Sequence, residues 1–342
     1  MKLLITSIGK RVQLIKYLKR NCTIVGVDSG DNAPAANFVN KFYKIPRFTD
    51  ERYVDTILSI CKEEAIDLLI PLHEYEFDIL CKSRSKFKSV ETTLLLSNKK
   101  IIDVCQNKLN TYNFFMENDI GSPESYSKET IINILKAANL KHEENENIIK
   151  DFLEREFNLV FPLIVKPING MGSSGVFKVN SVKELEFFID YVKRPIIQEY
   201  IEGPEYTIDV LCDLTGKPIS IVPRERLEIR SGEVSKTRTV LHKEIIKETY
   251  RVIECLMKLV DASEEAAVMG PYTIQCKVTE DNRIKFIEIN PRFGGGVPLT
   301  FEAEVDYGKY FNMMIKGENI EPIIGQFEEM TMLRYDDAVF IR

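Results

Sequence analysis

The chain has 342 residues, 44% of them hydrophobic and 29% charged, which fits two or three globular domains with sizeable cores rather than a disordered or fibrous chain. A net charge of −6 and a pI near 5.5 leave no electrostatic footprint for nucleic acid or an anionic membrane surface. Seven cysteines without C-x-x-C spacing read as reduced, buried thiols of a cytoplasmic protein, Leu3, Leu4 and Ile5 form too short a run for a signal peptide, and no run approaches the ~18 residues of a membrane span.

Residues 2–6 read as a buried strand, followed by a turn through Ser7, Gly9 and Arg11 and a helical pattern on Val12, Leu14, Ile15 and Leu18. A second strand, 23–28, ends on Asp28. A dinucleotide site would need G-x-G-x-x-G at the first turn, and only Gly9 is present, so NAD binding is rejected and Asp28 reads as a strand-end polar residue. A helix at 53–65, an apolar strand at 67–72 and a strand at 94–96 complete a small parallel sheet with helices on both faces. Ligands gather outside the carboxyl ends of such strands, where Ser7, Arg11, His73 and Glu74 fall as candidate substrate residues. A hydrogen-bonded loop histidine is the plainer account of His73.

The segment 98–118 reads as one helix containing Lys108, which by itself looks like any solvated helix lysine. Residues 129–158 are polar and helical in pattern, with an exposed break at 142–147. They read as an insertion whose charges are solvated. A strand at 161–167 ends on Lys166, and the loop after it carries Gly170, Gly172, Ser173, Ser174 and Gly175. Such a loop lets backbone amides converge on phosphate oxygens, although a plain hairpin has the same composition. It is not a Walker A loop, since no Lys-Ser/Thr follows the glycines. Residues 195–210 read as strand, turn, strand through Glu199, Tyr200, Ile201, Glu202 and Glu205, which suits adenine on an apolar shelf and a ribose on a carboxylate.

Arg224, Arg226, Arg230, Lys236 and Arg238 then fall among Glu225, Glu228 and Glu233. The cluster is either a solvated hairpin with compensating charges or a clamp for an acid and a γ-phosphate. Alternating runs at 272–278 and 286–290 flank an Asp281-Asn282 turn and read as a hairpin that sets Gln275 roughly opposite Glu288. A period of two puts Glu288 and Asn290 on one face and Ile287 and Ile289 on the other. Carboxylate and amide oxygens at that spacing are hard donors suited to Mg²⁺, and Arg292 adds a fixed charge beside them. Taken alone, the short motif is also that of an exposed hairpin with ordinary surface polars. Gly294, Gly295 and Gly296 follow, then helices at 300–305 and 307–314 and one or two strands within 330–341.

Lys108, Lys166 with its glycine loop, the segment 198–205, and Gln275 through Arg292 occur in an order that resembles the ATP-grasp superfamily, in the form of a single unit of the carbamoyl-phosphate synthase large subunit and its single-domain ligase relatives. No second copy of the set is present. The resemblance implies an α/β and α+β fold, with a Rossmann-like pre-ATP-grasp domain at 1–97 and a two-subdomain ATP-grasp fold at 98–342, its lid at about 123–197 and its C-terminal subdomain at about 198–342. It implies ATP held by Lys108, Lys166, Gly172, Ser173, Ser174, Glu199, Tyr200, Ile201 and Glu205, with Glu202 as the other ribose candidate.

The same resemblance implies one or two Mg²⁺, or Mn²⁺, on Gln275, Glu288 and Asn290. Arg292 with Lys236 or Arg238 would act on the transferring phosphoryl group, and Ser7, Arg11, His73, Glu74, Arg226, Arg230, Gly295 and Gly296 would face the substrate. The implied activity is an ADP-forming carboxylate–amine ligase working through an acyl phosphate. A phosphotransferase that stops at an acyl or carboxy phosphate, and an ATP-binding regulator without turnover, are the alternatives. Its partners would be a small carboxylic acid and an amine, with no nucleic acid or membrane, and enzymes of this kind are often homodimers.

Overall fold

The computed structural model describes residues 1–142, 146–170, 172, 174–230, 232–261 and 268–341. Three sheets organise the chain. The first is parallel and holds β1 (Lys2–Thr6), β2 (Thr23–Asp28), β3 (Lys41–Lys44), β4 (Leu68–Pro71) and β5 (Thr93–Leu94) in the order β3-β2-β1-β4-β5. β1 and β4 are apolar and buried on both faces, as helix-covered parallel strands must be. The chain order reverses between β1 and β4, so the crevice beyond their carboxyl ends is the natural ligand position.

The second sheet is antiparallel, with β6 (Ser125–Ser127), β7 (Leu163–Pro167), β8 (Phe177–Val179) and β9 (Pro195–Glu199) in the order β6-β9-β7-β8. The third holds β10 (Glu205–Cys212), β11 (Pro218–Arg230), β12 (Glu233–Thr239), β13 (Gly270–Val278), β14 (Ile284–Asn290) and β15 (Thr331–Leu333) in the order β14-β13-β10-β11-β12-β15. The first and third sheets share a core: Leu3, Ile5 and Leu14 pack in one cluster with Val222, Phe293, Phe301 and Phe311. The crevice above β1 and β4 therefore opens onto the ends of β13 and β14.

Several sequence expectations are corrected. The helix expected over 98–118 is two, Lys99–Gln106 and Lys108–Glu117. Asn107 is extended between them (φ −116°, ψ 110°), and its side chain caps the second by accepting from Leu109 and Asn110 N–H. The segment 129–158 is not a solvated insertion. Helices Lys128–His142 and Glu146–Phe157 bury Ile131, Leu135, Ile149 and Leu153 against Leu163, Val165 and Ile197 of the second sheet, so they form its hydrophobic backing. Of the expected break at 142–147, positions 143–145 lie outside the described residues. Within 330–341 only Thr331–Leu333 is a strand, and the remainder is irregular.

Leu153 decides between the two readings of this segment. Its truncation to alanine should destabilise the protein by about 2–5 kcal/mol in urea unfolding, as for a packed core leucine. A change within about 0.5 kcal/mol, the usual size for a surface position, would contradict the packing.

Candidate active site

A cleft of about 1300 Å³ lies among the three sheets, and most of the candidate residues line it. On its floor, β13 and β14 pair antiparallel with Gln275 directly opposite Glu288 and Thr273 opposite Asn290. The register slips between Gln275 and Cys276, leaving Ile287 as an extra residue on β14. This bulge corrects the simple alternation: Ile287 lines the cleft beside Glu288, while Phe286 and Ile289 enter the core.

The Asn290 amide nitrogen donates to Glu288 Oε1 at 2.9 Å, and its oxygen accepts no hydrogen bond among the described residues. Burial alone would raise the Glu288 carboxyl pKa. Lys108, the hydrogen bond from Asn290, Lys166 and Arg292 outweigh it and hold the group below the usual carboxylate range. An ionised carboxylate and a free amide oxygen on one face are a donor set for a hard divalent cation whose other ligands come from phosphate or water. The described residues contain no group of three or more His, Cys, Asp and Glu side chains that would hold a metal by itself.

Lys166 is the penultimate residue of β7 and is buried, with its ammonium donating to Gln198 Oε1 at 2.7 Å. Burial pulls its pKa down to about 8, with Lys108 adding to that effect and Glu288 and Glu205 opposing it. Gln198 is itself fixed by donating to Ser125 Oγ at 2.8 Å. Lys108 stands at the first position of its helix and donates to Gly170 O at 3.0 Å, which joins the helix to the glycine loop. Gly172 and Ser174 line the cleft, whereas Ser173 lies outside the described residues.

At the hinge after β9, Glu199, Tyr200 and Ile201 line the cleft. The Ile201 carbonyl accepts from Lys277 Nζ at 2.9 Å, and the Tyr200 ring lies under Lys178 Nζ at 3.8 Å. Glu205 lines the cleft and pairs with Arg226 at 3.2 Å; Glu202 is exposed and does not.

The basic hairpin divides by strand alternation up to Arg226 and by a register shift between Arg226 and Glu228 that turns Glu228 to the opposite face. Arg224 and Arg226 face the cleft, whereas Glu225 pairs with Arg238 and Glu228 with Lys236 on the other face. Lys236 and Arg238 are thus corrected from cleft residues to half-exposed members of surface ion pairs, and Arg230 at the hairpin tip is exposed and also outside the cleft. Arg224 is 1% exposed and grips Asp209 with two hydrogen bonds of 2.7 and 3.0 Å, and Thr300 Oγ1 donates to the same carboxylate. Its third nitrogen, Nη1, is buried without a hydrogen-bond partner among the described residues. A Cβ on Gly296 would run into that atom, which explains the glycine there.

On the first sheet, Ser7, Arg11 and His73 line the cleft beyond β1 and β4. His73 stacks on Phe48 with ring centroids 5.9 Å apart, and burial lowers its pKa. Glu74 does not line the cleft; it accepts from Arg292 Nε at 2.7 Å and so orients that guanidinium. Asp28 is more than a strand-end polar residue, because it accepts from the N–H of both Gly9 and Gly30.

Gln198, Ile287, Glu233 and Arg334 are cleft residues to which the sequence assigns no role, and it shows Arg224 only as a member of the basic cluster. Alternation through 223–226 carries the signal for Arg224. The others depend on a bulge, a buried partner or a distant strand.

The first domain matches the description "PylC-like, N-terminal domain" over residues 3–95, and "ATP-grasp domain" matches residues 105–296, more than half of the chain. Among curated relatives, the carbamoyl phosphate synthase large chain of Thermoanaerobacter sp. (strain X514) is 29% identical over 198 residues, covering 52% of this chain and 17% of that protein. The D-alanine–D-alanine ligase of Aquifex aeolicus (strain VF5) is 27% identical over 180 residues, covering 50% of this chain and 60% of that one. The chain thus spans less than two thirds of the length of either relative.

Among solved structures, N5-carboxyaminoimidazole synthetase from Staphylococcus aureus complexed with ADP has a TM-score of 0.69 at 18% identity, with 98% of this chain and 82% of that one covered. The L-amino acid ligase from Bacillus licheniformis has a TM-score of 0.61 at 20% identity, with 94% and 77% covered. At these identities the likeness is one of fold. The match over 105–296, together with the order of lysines, glycine loop and β13–β14 hairpin in the cleft, establishes that this chain belongs to the ATP-grasp family.

Proposed function

We propose that the chain is an ATP-dependent carboxylate–amine ligase that releases ADP and phosphate, with the cleft among its three sheets as the active site. The observation that carries this reading is the ionised Glu288 beside the free oxygen of Asn290, ringed by Lys108, Lys166 and Arg292. The relatives named for ligation of D-alanine and for carbamoyl phosphate synthesis support the class of reaction.

Glu288 and Asn290, with Gln275 opposite, would hold Mg²⁺, and the ion when bound would neutralise phosphate charge. Lys166 and Lys108 attract the diphosphate, and Ile287 and Ile201 give the base an apolar shelf. Glu205 stands where a ribose hydroxyl would need an acceptor. Arg292, oriented by Glu74, stabilises the transferring phosphoryl group as the acid's carboxylate attacks it in line. The amine then attacks the acyl carbon, the amide bond forms, and phosphate leaves. Positioning and electrostatics supply the catalysis, so none of the seven cysteines is needed as a nucleophile.

Release of ADP from MgATP over a panel of carboxylic and amino acids, each with and without a second amine, tests the reading. ADP that appears only when acid and amine are both present is expected. Release with acid alone would replace the ligase with an acyl-phosphate-forming enzyme, and silence across the panel despite nucleotide binding would leave a regulator.

Glu288→Gln should cut kcat/KM by about 10²-fold or more while the chain stays folded, and Arg292→Met should lower kcat more than it raises KM. Unchanged turnover in either would remove that residue's assignment. Lys166 supplies a pH signature. With a pKa of about 8 it is charged below that pH, and a bound diphosphate favours the charged form. Nucleotide affinity should therefore fall as pH rises through about 8, by up to roughly tenfold per pH unit, with uptake of about half a proton near pH 8. Calorimetry of MgADP in buffers of different ionisation enthalpy reads both, and Lys166→Met should abolish the dependence.

A further inference from the structure

The loop that follows β1 is anchored by two carboxylates. The hydroxyls of Thr6 and Ser7 donate to Glu76, which is 1% exposed, and Asp28 accepts from Gly9 N–H at 2.9 Å and Gly30 N–H at 2.8 Å. Ser7 is held in the left-handed region at φ 49°, a conformation that persists in a non-glycine residue only where its surroundings fix it. This framework presents the side chain of Arg11 to the cleft.

Arg11 stands among charges that are already matched. Arg292 is paired with Glu74 at 2.7 Å, and Arg334 with Glu233 at 2.9 Å. Arg11 itself forms no ion pair or side-chain hydrogen bond among the described residues, although Glu233 acts on it at longer range. Burial and the like charges of Arg292 and Arg334 pull its pKa down, which is the electrostatic mark of a guanidinium short of a counter-anion. A Cβ on Gly295 would lie 3.4 Å from both Arg11 Nη1 and Glu233 Oε2, so the group sits against the glycine turn that enters the reaction site. On the adjacent residue, Gly296 abuts the unpartnered Nη1 of Arg224. Neighbouring Cα atoms are about 3.8 Å apart, so both guanidinium groups flank a single turn; the charge of Arg224 is taken by Asp209 and its Nη1 is covered by Gly296, which leaves Arg11 as the one whose unmatched donors line the cleft.

We infer, building on the ligase reading, that the acid ligated here carries a second anionic group, a carboxylate or a phosphate, which Arg11 holds while the carboxylate to be activated lies toward Arg292. Arg11 would then set specificity by favouring dianionic acids, since a fork of charged donors left without its anion penalises a monoanion.

The test is calorimetric binding to the whole chain in the presence of MgADP, using succinate, glutarate and 3-phosphonopropionate against butyrate. At least one dianion should bind about tenfold more tightly than butyrate. Arg11→Met should reduce that preference to within about twofold, while Arg11→Lys, which keeps the charge, retains part of it. Unchanged MgADP affinity in both variants verifies that they fold. The phosphonate and dicarboxylate arms separate a phosphate from a carboxylate as the second group. No dianion preference in the wild type, or a preference that survives in Arg11→Met, would overturn the inference. Failure of the wild type to bind MgADP would count against the ligase reading instead, and the same series without nucleotide would still decide the Arg11 site.

Discussion

A single buried carboxylate sets the electrostatics of the cleft. Glu288 stays ionised in a place where burial opposes ionisation, because Lys108, Lys166, Arg292 and the amide of Asn290 surround it. Each of these comes from a different part of the chain. Lys108 needs a helix that restarts at Asn107, Lys166 needs the end of β7, and Arg292 needs the turn after β14. The charge set exists only where the elements that carry these residues meet.

The packing joins the sheets unequally. The first and third sheets are joined by a common core in which Phe293 and Phe311 meet Leu3 and Leu14, and Arg20 pairs with Glu302 across the same boundary. The second sheet has its own core, backed by helices Lys128–His142 and Glu146–Phe157. Its described contacts with the cleft floor are polar, such as Lys108 Nζ to Gly170 O and Lys285 Nζ near Glu199. A body with its own core and polar contacts to its neighbours suits the covering of a nucleotide, and the buried Lys166–Gln198 hydrogen bond is one that a phosphate could take over.

Much of this was legible in the sequence where a local pattern carries the information. The alternating β13–β14 hairpin placed Gln275 opposite Glu288, and the apolar runs of β1 and β4 announced a parallel sheet with Ser7 and His73 beyond its carboxyl edge. What failed was decided by single-residue geometry or by distant partners. One bulge residue turned Ile287 toward the cleft, and the sense of β11 and β12 sent Lys236 and Arg238 to the surface while aiming Arg224 inward. The polar segment 129–158 conceals a helical apolar stripe that acquires meaning only against β7 and β9. Arg334 reaches the cleft because β15 pairs with β12, a pairing no local pattern encodes.

The account rests on the cluster around Glu288 being a metal–phosphate site. A crystal structure of the chain with MgADP tests this most directly. The metal should lie between the diphosphate and the oxygens of Glu288 and Asn290, with Lys166 Nζ released from Gln198 to a phosphate oxygen. A nucleotide bound elsewhere, or a diphosphate in the cleft with its metal away from Glu288, would contradict it.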